Sequence, residues 1–155
     1  MEKKITTMNN QKPIVIAVCT GKTKGTIKKQ VEQIKLIANY GVEGDAHAGE
    51  AIRQVSLLAD ESASKLRDKI PDLKPGMFAE NILTRGIVLY QLPIGIKLRV
   101  GQALLIVTQI GKECKDGACS IKQQTGDCCM PREGIFTEVI EGGIVKPGSL
   151  ITIEE

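Results

Sequence analysis

Short apolar runs alternate with glycine-rich polar segments along this chain, a pattern typical of a β-rich domain. Apolar runs predict strands at Ile14–Val18, Val55–Leu58 and Leu150–Ile153. Two further strands are predicted on either side of a turn at Val100–Gly101–Gln102. The segment Gln30–Asn39 fits either a strand or a short helix, because its periodicity does not separate the two.

Two helices are predicted from their boundary signals. Asp60 is a candidate N-cap for a helix over Glu61–Lys69, which Pro71 would end. A second helix is predicted from Pro131 to Ile140, with proline in its first turn and Gly142–Gly143 after its last residue.

Many short strands with few helices predict a mainly β fold, a mixed β-barrel in a single domain. A chain of 155 residues is also the size of one domain. Residues 1–12 are polar and are expected to form a flexible tail before a domain at 13–155. Since only 3% of the residues are aromatic, the core must be aliphatic.

Composition and charge narrow the expected location and partners. No apolar run approaches the roughly 20 residues of a membrane span, and the polar N-terminus lacks the apolar region of a secretory signal. We therefore expect a cytoplasmic protein without a membrane partner. The net charge is +3, and seven lysines within the first 29 residues predict a solvated basic surface that could attract a small anion. No aromatic residues interleave with these lysines, which argues against a nucleic-acid partner.

Four of the five cysteines fall between Cys114 and Cys129, in a segment rich in glycine and charged residues. In the cytoplasm these thiols are expected to be reduced, which points to sulfur, metal or redox chemistry. Lys112 and Lys115 flank Cys114, and neighbouring positive charge stabilises the reactive thiolate. Cys119 could resolve a persulfide, share a metal or pack inward as a small apolar residue.

Cys128 and Arg132 lie at the start of the predicted second helix. A helix N-terminus lowers the pKa of a thiol and attracts anions, and Arg132 could clamp such an anion or pair with a nearby acid. A structural zinc site is a weaker interpretation, because the C-x₄-C-x₈-C-C spacing lacks the two C-x₂-C pairs of ordinary zinc sites.

A second polar cluster is the glycine-flanked sequence around Asp45 and His47. Histidine is the residue type whose ordinary pKa lies near neutrality, and His47 is the single histidine, so it is the best candidate acid or base. Arg53 could bind an oxygen of an anionic ligand, or form a salt bridge with Asp45. Asn81 and Glu80 could bond a ligand, or satisfy a buried turn.

Six motifs in order resemble the MOSC domain, the module named after the C-terminal region of molybdenum-cofactor sulfurases, in its small standalone bacterial branch. The motifs are GVEGDAHAG (Gly41–Gly49), RQVSLLADES (Arg53–Ser62), PGMFAENI (Pro75–Ile82), LPIGIKLRVG (Leu92–Gly101), TQIGKEC (Thr108–Cys114) and GDCCMPREGIF (Gly126–Phe136). The resemblance implies a MOSC-type barrel and a link to the molybdenum cofactor or to sulfur transfer. It also singles out Cys114 and Cys128. Lys115 stands where many relatives have a histidine, which leaves no imidazole beside Cys114.

The resulting hypothesis is a protein that binds molybdenum cofactor (molybdopterin), or carries sulfur on a cysteine thiolate with a sulfurtransferase-like activity. Cys114 would be the sulfur acceptor or a molybdenum ligand, Cys128 a second candidate thiol, and His47 the group that moves protons. The expected cofactor-binding residues are Asp45, Arg53, Asn81 and Arg132. The expected partner is a cysteine-desulfurase-type sulfur donor, which would hold any pyridoxal phosphate, or a molybdoenzyme. The alternatives are a non-catalytic cofactor carrier and a zinc-stabilised interaction domain.

Overall fold

A computed structural model describes residues 12–23, 27–67, 70, 72–111 and 133–154. This part of the chain contains eleven strands, one α-helix and a 3₁₀ helix at Leu89–Gln91. The elements are β1 (Ile14–Thr20), β2 (Lys29–Val31), β3 (Ile34–Ile37), β4 (Gly41–Val42), β5 (Val55–Ala59), α1 (Asp60–Ser64), β6 (Ile82–Arg85), β7 (Lys97–Val100), β8 (Ala103–Ile110), β9 (Ile135–Glu141), β10 (Gly143–Val145) and β11 (Ile151–Glu154). The fold is therefore mainly β, as the sequence predicts.

Eight strands form one mixed sheet in the order β11-β7-β8-β9-β5-β6-β1-β2, and three form a small sheet in the order β10-β3-β4. Every pairing in the large sheet is antiparallel except that of β5 with β6. A bridge between Ile14 and Leu150 brings β1 close to the start of β11. No continuous ladder joins these two strands in the described pairings, so the sheet of the predicted mixed β-barrel is not closed.

Aliphatic side chains fill the main core, as the low aromatic content predicts. Successive residues of strand β5 point to opposite sides of the sheet, and both sides are buried against apolar side chains. Val55, Leu57 and Ala59 join the main aliphatic cluster, whereas Leu58 packs into a second cluster with Phe136 and residues of the α1 region. All five residues of β5 are therefore buried.

The predicted helix over Pro131–Ile140 is wrong from Ile135 onward, because Ile135–Glu141 is strand β9. β9 lies between β8 and β5, and its residues Ile135, Thr137 and Val139 are buried. These β-branched residues alternate along the chain and favour a pleated strand. The alternation, together with pairing on both sides, overrides the prediction that the helix continues to Gly142–Gly143.

The first helix is shorter than predicted and lacks the predicted cap. It spans Asp60–Ser64, its N-cap is Ala59, and no side chain caps it. Asp60 lies inside the helix, where its carboxylate pairs with Arg67 instead of a backbone N–H. No helix in the described ranges is long and apolar enough to cross a membrane.

The predicted strands are confirmed with small changes in their bounds. β1 extends two residues beyond the predicted Val18, and the turn at Gly101 separates β7 from β8 as expected. The ambiguous segment Gln30–Asn39 contributes to two strands, β2 and β3.

Candidate functional site

The loop after β4 folds around the buried carboxylate of Asp45. The Oδ1 atom of Asp45 accepts hydrogen bonds from the backbone N–H of Gly21 at 3.0 Å and from Nζ of Lys28 at 2.8 Å. Its Oδ2 atom accepts from the backbone N–H of His47 at 3.0 Å. The loop can bend tightly here because Gly44 adopts a φ of 83°, a conformation that favours glycine. Asp45 thus ties three segments together.

Lys28 is a member of this site that the sequence did not single out. The expectation of a solvated lysine surface is wrong for this residue, since Lys28 is only 2% exposed. Its Nζ atom lies 3.1 Å from Nδ1 of His47 as well as contacting Asp45. The sequence carries no signal that distinguishes Lys28 from the neighbouring Lys29, which is exposed. We call Lys28, Asp45 and His47 the buried triad, although His47 itself is partly exposed.

The surroundings of Asp45 keep it ionised. Burial alone would raise the pKa of this carboxyl, but the Lys28 side chain and the N–H groups of Gly21 and His47 hold the pKa well below its usual range. A permanent negative charge therefore faces the Lys28 ammonium inside the protein.

A second buried acid, Glu80, lies in the loop before β6. Its carboxylate accepts hydrogen bonds from the backbone N–H groups of Gly76 at 2.8 Å and Phe78 at 3.1 Å. Burial raises the pKa of Glu80 to about 7, although these N–H groups and Lys28 partly oppose the rise. Cys19 is fully buried, and burial together with the charge of Glu80 raises its thiol pKa to about 12. Lys28 joins this loop to the buried triad, because its N–H donates to the carbonyl of Gly76 at 2.9 Å.

We expect the free energy of unfolding to fall by about 2–3 kcal/mol between about pH 4.5 and pH 7 because of Glu80. The carboxyl titrates near 4.5 in the unfolded chain and near 7 in the folded protein, so only the folded state keeps the proton in this window. Urea denaturation at a series of pH values measures the effect. Glu80→Gln should flatten this part of the profile, and a variant that keeps the wild-type slope would contradict the assignment.

Asp45 acts in a different and lower window. Its folded pKa lies below the ordinary 3.8, so its contribution to stability is complete above about pH 4 and is lost on further acidification. The two acids therefore do not mask each other in the measurement.

Asn81 connects strands in the interior. Its side-chain Nδ2 donates to the carbonyl of Cys19 at 3.1 Å, and its Oδ1 accepts from the backbone N–H of Ser56 at 3.0 Å. The residue is fully buried. This geometry matches the buried-turn interpretation, and a ligand contact from Asn81 stays a prediction.

Arg53 lies on the surface near β8 and β9. Its Nε donates to Oε1 of Gln109 at 3.0 Å, and its guanidinium lies 5.5 Å from the ring centroid of Phe136. The alternative salt bridge from Arg53 to Asp45 is not formed, and Asp45 pairs with Lys28 instead. The adjacent Ile52 accepts a hydrogen bond from the Thr108 hydroxyl. Ile52 and Arg53 thus lie against β8 at the start of the Thr108–Cys114 motif.

The predicted thiols Cys114 and Cys128 and the predicted anion clamp Arg132 lie outside the described residues. Their roles stay predictions, as does any structural zinc on these cysteines. Within the described ranges, no group of three or more His, Cys, Asp or Glu side chains is arranged to hold a metal ion.

The comparison with protein families gives one match. A model of the MOSC domain matches residues 44–152, which is more than half of the chain. The matched region begins within the loop of the buried triad and includes β5 to β10. No match is found among curated proteins.

Solved structures share the fold. The YuaD protein from Bacillus subtilis superposes with a TM-score of 0.75 at 19% identity, over 92% of this chain and 96% of that chain. YiiM from Geobacillus stearothermophilus gives a TM-score of 0.69 at 17% identity, over 92% and 75% of the two chains. YiiM from Escherichia coli gives 0.63 at 23% identity, over 94% and 70%. At these identities the similarity establishes the fold alone.

Proposed function

Because this chain belongs to the MOSC domain family, which is associated with molybdenum cofactor binding, we propose that it binds this cofactor or a sulfur donor and carries sulfur on Cys114. The family match over residues 44–152 carries the proposal, since it spans Asp45, His47 and the cysteine segment. The charge around Cys114 supports it, because Lys112 and Lys115 favour the thiolate that sulfur transfer needs.

The proposed sulfur step is an exchange between thiolates. The Cys114 thiolate attacks the outer sulfur of a cysteine persulfide on a donor protein. A new S–S bond forms on Cys114 while the S–S bond of the donor breaks, and the donor cysteine leaves as a thiolate. No net oxidation occurs, and Cys114 ends as a persulfide that an acceptor can use. A donor of the cysteine-desulfurase type would carry its own pyridoxal phosphate.

The described residues fit an anionic, oxygen-rich group such as the phosphate of a pterin cofactor. Arg53 is exposed and uses Nε on Gln109, and within the described part of the chain its two terminal nitrogens have no hydrogen-bond partner. A guanidinium with two free N–H edges can bind a phosphate in a bidentate manner. Arg53 and His47 would hold the group, while Asp45 and Asn81 would support the loops behind it. When bound, the cofactor supplies a metal centre that a thiolate can coordinate.

We expect iodoacetamide to alkylate Cys114 orders of magnitude faster than Cys19 near pH 7. A thiol with a pKa near 7 is roughly half thiolate at that pH, whereas a pKa of about 12 leaves about one molecule in 10⁵ ionised. Cys19 is fully buried as well, so it is an internal slow reference. Peptide mass spectrometry after labelling across a pH series measures both rates in one sample.

Incubation with a persulfide donor, together with analysis of the purified protein for pterin and molybdenum, separates the proposal from the carrier alternative. A sulfur carrier incubated with a persulfide donor gains one sulfur on Cys114, and Cys114→Ser abolishes the gain. A carrier of intact cofactor instead co-purifies with pterin fluorescence and molybdenum, and Cys114 gains no sulfur. Equal labelling rates for Cys114 and Cys19 would show that Cys114 is not the reactive thiolate that the sulfur step requires.

A further inference from the structure

We propose that Lys28 is a positioning residue that holds His47 as the neutral tautomer protonated on Nε2. The ammonium of Lys28 lies between the two other members of the buried triad, 2.8 Å from Oδ1 of Asp45 and 3.1 Å from Nδ1 of His47. The Lys28 and Asp45 side chains are 1% and 0% exposed, so water does not compete for these contacts. This arrangement assigns the proton on the imidazole.

The argument follows from which groups can donate. A lysine ammonium has three N–H donors and no acceptor. It is charged here because it contacts the carboxylate of Asp45. The Nδ1 atom of His47 must therefore be the acceptor at 3.1 Å, which places the ring proton of a neutral imidazole on Nε2.

The opposite tautomer would need a hydrogen bond from Nδ1–H to Asp45. The distance from Nδ1 of His47 to Oδ2 of Asp45 is 3.7 Å, which is too long for a hydrogen bond. The Oδ2 atom already accepts the backbone N–H of His47 at 3.0 Å. A proton on Nδ1 would also face the N–H groups of Lys28. The geometry therefore favours the Nε2–H form.

The tautomer determines what His47 offers to a ligand. Its side chain is 17% exposed, and within the described residues no group bonds its Nε2 atom. His47 then presents an N–H donor, suited to a phosphate, molybdate or carbonyl oxygen, and not a free lone pair that could act as a general base. This use by a ligand rests on the proposed function, whereas the tautomer is a property of the free protein, so the two can fail separately.

The wild-type protein gives the first test. His47 is the single histidine of the chain, so the imidazole signals in a ¹⁵N long-range correlation spectrum need no assignment. At mildly alkaline pH we expect Nε2 to show the shift of a protonated ring nitrogen and Nδ1 that of an unprotonated one. A spectrum with the proton on Nδ1, or on both nitrogens, would overturn the proposal without any reference to cofactor or sulfur chemistry.

Lys28→Met gives the second test, because it removes the donor and leaves Asp45 in place. Nδ1 should then show the shift of a protonated ring nitrogen and Nε2 that of an unprotonated one, because Nδ1–H can turn toward the unpaired carboxylate of Asp45. Lys29→Met is the matched control, a neighbouring exposed lysine, and should leave the wild-type spectrum unchanged. A folded Lys28→Met protein with the wild-type tautomer would also overturn the proposal. If Lys28→Met does not fold, the wild-type spectrum alone decides.

Discussion

Gly76→Ala is expected to lower the free energy of unfolding by about 4 kcal/mol or more, which for a small domain can abolish folding. A Cβ atom at Gly76 would lie 2.1 Å from the carbonyl oxygen of Lys28, far inside van der Waals contact. It would also approach the Sγ atom of Cys19 at 3.3 Å. The backbone has little freedom to move away, because Gly76 N donates to Glu80 and Gly76 O accepts from Lys28. Chemical denaturation of the variant measures the loss.

Gly95→Ala is the matched control for this prediction. Gly95 has nearly the same backbone angle, with φ at 96° against 92° for Gly76, but a Cβ there would meet no atom within 4 Å. Its cost should be the conformational penalty alone, about 1–2 kcal/mol. Equal losses in the two variants would show that the contact between Gly76 and Lys28 has no energetic weight.

The strands were predictable where local sequence decides them. Ile14–Val18 is a continuous apolar run, and it forms the buried strand β1 with only its end misplaced. The turn at Gly101 was equally clear, because this glycine separates two apolar runs. In the structure Gly101 adopts a φ of 57°. Such features depend on residues that are adjacent in the chain.

The second helix failed because its prediction used boundary signals and ignored long-range pairing. Pro131 and Gly142–Gly143 are consistent with helix ends. However, strand β9 pairs with both β5 and β8, which come from distant parts of the chain. A central position in a sheet decides the state of such a segment more strongly than its termini do.

The candidate site was predictable only in part. The glycines around Asp45 and His47 indicated a polar loop of special geometry, and the structure brings these two side chains together. The third member of the triad was hidden, because the burial of Lys28 depends on contacts with Asp45 and Gly76, which are remote in sequence. Only the fold reveals which of the basic residues in that region is internal.

Lys28→Met is expected to lower the free energy of unfolding by about 3–5 kcal/mol. The substitution keeps an apolar stem of similar length but removes the ammonium, so the fully buried carboxylate of Asp45 loses the side-chain charge that balances it. The backbone N–H groups of Gly21 and His47 still bond Asp45, but they carry no full charge. Lys29→Met, at the exposed neighbouring position, should change stability by less than about 0.5 kcal/mol.

A double variant shows whether the loss comes from the stranded charge or from packing. Adding Asp45→Asn to Lys28→Met removes the unpaired carboxylate while an amide oxygen can still accept the N–H of Gly21. The second substitution should therefore recover about 1–2 kcal/mol of what the first one lost, although Asp45→Asn alone destabilises the wild-type protein. If the two losses simply add, Lys28 and Asp45 do not act as a pair, and the role of Lys28 reduces to filling space beside Gly21 and Gly76.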